Sequence, residues 1–298
     1  MRARTERLWR WRAAGAVLAC LAALLSSGCT SLAFAVANVP ARFAAIERQS
    51  GIAYGEAPRQ RLDVYQPPAG TARGRPVLVF FYGGAWDSGA RGQYRFVGTT
   101  LAGLGYVTVV PDYRVYPEVR FPEFIDDGAR AVAWVAQHAA DYGADGRRIV
   151  LVGHSAGAHL AAMLALAPEP LPRAGVARER IAGLIALSGP YDLRPDTPEL
   201  NAIFAAPYQP HDWQVIARAA APTPPALLLH GADDRRVRPQ ATALLAERLR
   251  ELGGVVTTER YPHCEHICPL AALSVPGHSQ APALADIRAF LERLEAGS

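Results

Sequence analysis

Continuous apolar runs that alternate with stretches of helical periodicity constrain this chain most. Runs of Val, Ile and Leu without polar alternation are buried on both sides, and a mostly parallel sheet with helices on both faces buries them. The pattern therefore predicts an α/β fold of one large domain. Predicted strands are Leu62–Tyr65 at an edge, Pro76–Tyr82, Tyr106–Val110, Arg148–Val152, Ile181–Leu187, Ala226–Leu229 and Val255–Tyr261. Predicted helices are Phe124–Tyr142, Ala156–Ala167, Pro239–Leu252 and Pro282–Leu294.

Several predicted strands end in loops that carry glycine, serine or histidine. Ligands of parallel sheets bind beyond the carboxyl ends of the strands, so chemistry is expected there. Residues 190–222 contain no clear strand and are rich in Pro and aromatic residues. We expect this segment to be an insertion over the strand ends, as a lid or a substrate wall.

The pentapeptide Gly153-His154-Ser155-Ala156-Gly157 stands between a predicted buried strand and a helix of small residues. This G-x-S-x-G sequence in strand–turn–helix context is typical of a nucleophile whose hydroxyl is exposed on a strained turn. Ser155 is therefore the predicted nucleophile. His154 and His159 flank it and are expected to pack or to line the pocket.

A serine hydroxyl needs a histidine base, which a carboxylate in turn orients. The acid candidates, Asp233 and Asp234, follow the strand ending at Leu229. The base candidates, His263 and His266, follow the last predicted strand. Proximity along the chain leaves both choices open.

Attack on a carbonyl also requires amide donors for the oxygen that becomes negative. Ala156, directly after the nucleophile, supplies one donor. The glycine-rich loop after the strand Pro76–Tyr82 supplies the others, which we assign to Gly84 and Ala85, with Gly83 shaping the turn.

The G-G-A-W loop, the Asp112-Tyr113-Arg114 stretch and G-H-S-A-G together resemble the esterase/lipase branch of the α/β-hydrolase fold. The branch includes hormone-sensitive-lipase-like, feruloyl-esterase-like and prenylcysteine-methylesterase-like proteins. The resemblance covers about residues 55–295 and implies an α/β-hydrolase fold. Tyr82 departs from it, since many relatives have His there. The resemblance further implies that residues 112–118 brace the oxyanion strand, and that Trp86 packs beside the oxyanion loop or forms a pocket wall.

The same resemblance selects between the open candidates. Asp234 matches the acid of the H-G-x-x-D-x-x-V pattern, and Asp233 then caps the loop. His266, followed by Ile267, matches the base, and His263 lies in the preceding turn. The implied triad is Ser155, Asp234 and His266.

Cys264 and Cys268 lie beside these histidines. Zinc sites usually draw paired ligands from two separate elements, so we expect no metal site there. A disulfide between the two cysteines remains possible but would have to close over only four residues.

The amino end resembles an export signal. Arg-rich residues 1–12 precede an apolar run, Ala13–Leu25, that is short for a membrane span. The sequence Leu25-Ser26-Ser27-Gly28-Cys29 is similar to a bacterial lipobox, so we expect a signal peptide over residues 1–28 and a lipid on Cys29. Thr30 then indicates the outer membrane, facing the periplasm. Residues 29–54 are expected to form a linker or short helix, and residues 55–298 the hydrolase domain.

The net charge of +4 belongs to this signal. All 31 cationic residues are Arg, and without the first 28 residues 26 Arg face 26 acidic residues. The body of the protein is therefore neutral, and a nucleic-acid partner is not expected.

The predicted function is hydrolysis of small-molecule carboxylic esters, without a metal or an organic cofactor. Amide hydrolysis, of the arylformamidase or exopeptidase type, would use the same triad. A non-catalytic envelope lipoprotein is the alternative from another class.

Overall fold

A computed structural model describes residues 32–69, 71 and 74–297 and contains an eight-stranded sheet. Its strands are β1 (Glu47–Ala53), β2 (Arg61–Gln66), β3 (Pro76–Phe81), β4 (Thr108–Pro111), β5 (Asp145–His154), β6 (Ile181–Leu187), β7 (Ala226–Gly231) and β8 (Val256–Tyr261). The spatial order is β1-β2-β4-β3-β5-β6-β7-β8. β1 and β2 pair antiparallel, as do β2 and β4, and all other pairs are parallel. The predicted α/β class is confirmed.

Helices cover both faces of this sheet. They are α1 (residues 32–41), α2 (Arg95–Gly103), α3 (Glu123–His138), α4 (Ala156–Leu166), α5 (Pro170–Arg173), α6 (Pro198–Ile203), α7 (Pro210–Trp213), α8 (Val215–Arg218), α9 (Gln240–Glu251), α10 (Cys268–Ala271) and α11 (Ala283–Ala296). Short 3-10 helices lie at Arg91–Tyr94, Ala139–Tyr142, Arg178–Arg180 and Val275–Gly277. All six residues of β3 are buried, and so is all of α4, which places the core around the strand that precedes the glycine-rich loop and the helix that follows Ser155.

The edge of the sheet differs from the sequence prediction. Residues 62–65 were expected at an edge, but β1 pairs outside β2 and takes that position. The sheet therefore begins inside the predicted 29–54 linker. β1 escapes pattern reading because its residues are polar or half-exposed and its register shifts between Gln49 and Ile52. Buried Asp63 anchors it by accepting hydrogen bonds from the Gly51 amide and the Arg48 guanidinium.

The 190–222 segment forms α6, α7 and α8 rather than strands. Phe204 lies 4.8 Å from Trp86 between ring centroids, so the segment packs against the loop that follows β3. The Trp213 carbonyl also lies 2.7 Å from Nε2 of His159, in the helix that follows Ser155. The insertion thus closes over strand ends with buried aromatic side chains.

Helix α1 covers part of the predicted linker and is fixed to the body of the protein. Asn38 donates a hydrogen bond to the Gln93 carbonyl and accepts one from the Phe96 amide. Phe34 packs edge-on against Tyr94, with ring centroids 5.0 Å apart. Within the described part of the chain, no helix has the length and apolar character needed to span a bilayer. The expected signal peptide and Cys29 lie outside the described residues.

Candidate active site

The turn between β5 and α4 holds Ser155 in a conformation that serine rarely adopts. Its φ is +56°, in the left-handed half of backbone space, which indicates strain that the surrounding structure must stabilise. The flanking glycines allow this turn. A Cβ on Gly153 would lie 2.2 Å from the Gly157 carbonyl oxygen, and a Cβ on Gly157 would lie 2.1 Å from that of Phe81. Strand and helix therefore pass in backbone contact, and the hydroxyl lies beyond the strand end.

The predicted base, His266, is within hydrogen-bond distance of both Ser155 and the predicted acid, Asp234. Nε2 of His266 lies 2.9 Å from Oγ of Ser155, and Nδ1 of His266 lies 2.7 Å from Oδ2 of Asp234. Because a carboxylate only accepts, Nδ1 carries a proton and donates it. In the neutral imidazole, Nε2 is then free to accept from the serine hydroxyl.

Asp234 is buried and surrounded by donors. The amides of Arg236 and Val237 each donate to Oδ1 at 2.9 Å. Burial alone would raise the pKa of this carboxyl, but the donors, chiefly the side chains of His230 and His266, hold it well below its ordinary value. Asp234 is therefore ionised at neutral pH.

The two alternative residues lie elsewhere. Nδ1 of His263 is 4.0 Å from Oδ2 of Asp233, and these side chains are 97% and 57% exposed. The Asp233 amide donates to the Cys264 carbonyl, and capping of the loop by its side chain stays a prediction. The structure brings Asp234 and His266 to Ser155 and leaves Asp233 and His263 at the surface.

His230 is a site residue that the sequence reasoning missed. Its Nε2 lies 3.1 Å from both Oδ2 of Asp234 and the Val237 carbonyl oxygen. Since both neighbours are acceptors, Nε2 carries a proton. Nδ1 lies 2.7 Å from Oγ1 of Thr242. The signal was present in the sequence, because His230 opens the pattern that selects Asp234.

His154 contacts the loop that carries His266. Its Nε2 donates to the His266 carbonyl at 3.1 Å, which fixes the backbone of that histidine. Burial lowers the pKa of His154 to about 3 and that of His159 to about 4, so both rings are neutral at physiological pH. Beyond the expected packing, His154 thus links the nucleophile turn to the histidine loop.

The glycine-rich loop lies against Ser155. A Cβ on Gly83 would be 3.0 Å from Cβ of Ser155, and one on Gly84 would be 2.4 Å from the Ser88 carbonyl oxygen. Gly84, Ala85 and Trp86 all have positive φ, which turns the loop sharply. Within the described chain, the amides of Gly84, Ala85 and Ala156 have no acceptor. These are the three predicted oxyanion donors.

Tyr82 fixes the start of this loop. Its hydroxyl donates to Oδ1 of Asp112 at 2.8 Å and accepts from the Arg59 guanidinium at 3.0 Å. Its ring lies between those of Tyr94 and Tyr113, with centroids 5.1 and 4.9 Å away. The Tyr113 hydroxyl donates to the Tyr82 carbonyl at 2.8 Å. The residue that departs from the family pattern is therefore a buried support beneath the loop.

Residues 112–118 contact the loop at a second point, since the Tyr116 amide donates to the Trp86 carbonyl at 2.8 Å. Arg114 pairs with buried Asp127 rather than with a triad residue. Trp86 is buried. Its ring packs edge-to-face with that of His159, with the ring centroids 5.1 Å apart. Trp86 thus packs against the helix that follows Ser155, and a pocket-wall role for it stays a prediction.

A disulfide joins Cys264 and Cys268, so it encloses His266 at the middle of a five-residue loop. The sequence analysis did not decide whether this disulfide forms. Its formation occupies both sulfurs, and no cluster of metal-binding side chains occurs in the described residues. His263 lies just outside the enclosed loop.

Comparison with known proteins gives curated relatives that are named as esterases. The chain is 30% identical over 278 residues to a probable isoprenylcysteine alpha-carbonyl methylesterase of Arabidopsis thaliana, which aligns 82% of this chain with 55% of that protein. It is 33% identical over 267 residues to the esterase LipQ of Mycobacterium tuberculosis, with 82% of this chain and 62% of that one aligned. The chain thus spans less than two thirds of the length of these relatives.

Solved structures and a family model agree on the fold. Apo esterase 2 of Thermogutta terrifontis superposes with a TM-score of 0.69 at 25% identity, over 84% of this chain and 94% of that chain. A truncated carbohydrate esterase from gut microbiota, at 18% identity and a TM-score of 0.71, shares the fold. The BD-FAE family model matches residues 62–249, a range that contains Ser155 and Asp234. Because this match covers more than half of the chain, the protein belongs to the BD-FAE family of α/β-hydrolases.

Proposed function

We propose that this protein is a serine hydrolase that cleaves carboxylic esters through an acyl-enzyme. The hydrogen-bonded series from Ser155 through His266 to Asp234 carries the proposal, with contacts of 2.9 and 2.7 Å. The esterase names of relatives and structural neighbours support an ester as the substrate. The amides of Gly84, Ala85 and Ala156, which have no acceptor within the described chain, support acyl transfer at Ser155.

In the first step, Oγ of Ser155 attacks the carbonyl carbon of the ester while its proton passes to Nε2 of His266. Asp234 stabilises the imidazolium through the Nδ1–H that already points at it. His154 and the disulfide keep the His266 backbone in place during this transfer.

The carbonyl oxygen becomes negative as the tetrahedral intermediate forms. The amides of Gly84, Ala85 and Ala156 bind this oxygen, and a donor of this kind typically contributes about a hundredfold to a thousandfold in rate. Because the surrounding loop is already fixed by Tyr82, little reorganisation is needed when the charge appears.

The intermediate collapses when His266 returns its proton to the alcohol oxygen, which leaves. The acyl group is now an ester of Ser155. A water molecule then attacks this ester, giving a proton to His266 that returns to Ser155 as the carboxylic acid departs. One ester and one water become one acid and one alcohol.

Substitution of the nucleophile tests the proposal. We expect Ser155→Ala to lower kcat for p-nitrophenyl acetate by about 10⁵-fold or more, with an unchanged circular dichroism spectrum. Paraoxon phosphorylates the Thermogutta terrifontis enzyme. Here we expect one paraoxon adduct, on the peptide that contains Ser155, and none in the variant. Unchanged turnover, or an adduct on another peptide, would overturn the mechanism. Assays of N-formylkynurenine and dipeptide anilides then measure how far amides are accepted.

We also propose that Cys29 carries a lipid that holds the protein at the outer membrane of a bacterial envelope, facing the periplasm. The Arg-rich end, the apolar run Ala13–Leu25 and the small residues before Cys29 support this proposal. Growth with an alkyne-labelled fatty acid should label the parent protein and not Cys29→Ala. Equal labelling of both would refute the anchor at this residue.

A further inference from the structure

Helix α1 exposes apolar side chains on its outer side as well as packing on the protein body. Phe34, Asn38 and Ala41 face the protein body, and the latter two are buried. On the outside, Leu32, Val36, Val39 and Phe43 follow one another at helical spacing and are between 49% and 85% exposed. A surface helix normally presents polar residues to solvent. Residues 32–41 contain no charged side chain at all.

An apolar groove of about 640 Å³ runs beside this helix. Leu32 and Val36 form part of one wall, and Ile267 and Leu270 form part of the other. Phe96 also contacts it, and none of its lining residues is charged. Ile267 directly follows His266, so the groove begins one residue from the proposed active site.

The exposed apolar residues of the protein are concentrated around this groove. Eight large apolar side chains are exposed in the described residues, and six of them belong to α1, its C-terminal turn or the opposite rim of the groove. These six are Leu32, Val36, Val39, Phe43, Ile267 and Val275, and we call them the α1 face. The other two, Leu244 and Val255, lie on α9 and just before β8. Leu32, Val36 and Ile267 line the groove itself, and a concentration of exposed apolar side chains of this kind marks an interaction surface.

The sequence before α1 indicates what covers this face. Cys29 lies three residues before Leu32, and a fully extended chain spans at most about 3.6 Å per residue. A lipid on Cys29 would therefore hold the start of α1 within about 11 Å of its attachment point. At that distance the uncharged, apolar face of α1 is within reach of the membrane surface.

We propose that the α1 face docks on the lipid bilayer, with Leu32, Val36 and Phe43 in contact with hydrocarbon. The helix then lies along the membrane surface as an interfacial element, and its inner side stays packed on Tyr94 and Phe96. Docking sets the groove, and the loop that carries His266, at the lipid surface. This inference rests on the proposed anchor for the position of α1 and does not depend on the chemistry of Ser155.

Photolabelling of the mature, lipid-anchored protein tests the contact locally. The lipid-anchored chain is reconstituted in phosphatidylcholine vesicles that contain phosphatidylcholine with a diazirine on one acyl chain. Irradiation and peptide mass spectrometry should place label in residues 32–43 and 267–277. The peptides that contain Leu244 and Val255 serve as internal controls and should remain unlabelled.

A charged residue on the face provides the matched comparison. We expect Val36→Asp to lower the labelling of residues 32–43 about tenfold, and Val255→Asp to leave it unchanged. Both variants should hydrolyse p-nitrophenyl acetate like the parent protein, because neither residue belongs to the active site. That assay separates loss of docking from loss of folding or of esterase activity.

Other occupants of the face would give other patterns. Label confined to residues before 32, or equal label at Leu244 and Val255, would refute lipid contact by the α1 face. A bifunctional chemical crosslinker added to the same vesicles tests for a second copy: if it joined residues 32–43 to another copy of the chain, protein would cover the groove, and docking would likewise be refuted.

Discussion

Two aspartate–histidine pairs lie side by side in this molecule, and only one of them reaches the serine. Asp234 and His266 are buried, in contact at 2.7 Å, while Asp233 and His263 are exposed and 4.0 Å apart. The aspartates are adjacent in sequence, and the histidines are three residues apart. Residue type and chain position therefore do not distinguish the pairs.

The surroundings distinguish them. Asp234 accepts four hydrogen bonds, from two amides and two histidines, which keep it ionised although it is buried. The Asp233 carboxylate is 57% exposed, and among the described residues its charged neighbour is the His263 imidazole, 4.0 Å away. In a buried, donor-rich site a charge interacts strongly and in one geometry, whereas water screens an exposed pair to little net effect. The contrast between the pairs can be tested one residue at a time.

Substitution of each histidine by alanine should give the largest difference in kcat between the two pairs. His266→Ala removes the group in contact with Ser155, and we expect kcat for p-nitrophenyl acetate to fall by about 10⁴-fold or more. His263→Ala is the matched control and should stay within about twofold, because its ring is almost fully exposed. A large loss in the control would mean that the exposed pair takes part in catalysis.

The aspartates should show the next largest effect. Asp234→Asn keeps the size of the side chain but removes the charge that sets the tautomer of His266, and we expect kcat to fall by about 10³- to 10⁴-fold. Asp233→Asn should change kcat by less than about twofold. Thermal unfolding of both variants checks that the loop remains folded. Similar losses in the two variants would contradict the assignment of Asp234.

The buried pair, Asp234 and His266, could be identified from the sequence only because each residue lies in a recognisable motif. The G-H-S-A-G turn requires Gly153 and Gly157 for backbone contact, so the pattern itself records the geometry. The H-G-x-x-D pattern and the order of motifs along the chain selected Asp234 in the same way. Continuous apolar runs predicted the central parallel strands, because burial on both faces leaves a strong compositional signal.

The missed features depend on contacts between distant segments. His230 and His154 support the site through partners that are fixed only when β5, β7 and the histidine loop meet. β1 is a polar edge strand that Asp63 holds in place, so it has no apolar signal of its own. Whether Cys264 and Cys268 meet depends on the backbone between them, which residue spacing alone does not determine.

Removal of His230, which supports Asp234, should lower activity less than substitution of Asp234 or His266 does. His230→Leu deletes one donor to Asp234, so we expect kcat at pH 7 to fall about tenfold and the pKa of Asp234 to rise toward its ordinary value of 3.8. A carboxyl whose folded pKa is lowered stabilises the protein above its unfolded pKa, and this contribution is lost as pH falls through the folded value. Acid unfolding should therefore begin at higher pH in the variant.

Thr242→Val is the control for this change. It removes the hydroxyl beside Nδ1 of His230 but leaves the Nε2 donor to Asp234 in place. Its acid unfolding midpoint, followed by circular dichroism, should shift less than that of His230→Leu. Equal midpoints in both variants and the parent would show that His230 does not stabilise the carboxylate.

The disulfide should give the smallest effect, because it acts on the inner histidine only through the backbone. It encloses His266 and leaves His263 outside, so it restrains the backbone of His266 but not that of His263. In Cys264→Ser/Cys268→Ser we expect kcat to fall by severalfold, up to about tenfold, with little change in KM, since a small misplacement of the base slows proton transfer more than binding. The free energy of unfolding should fall by about 2 kcal/mol, as for closure of a short loop. Dithiothreitol should lower kcat of the parent protein to the level of the double variant and leave the variant unaffected. A parent protein with full kcat after complete reduction, verified by thiol alkylation and mass spectrometry, would show that contacts such as the His154 hydrogen bond suffice to position His266.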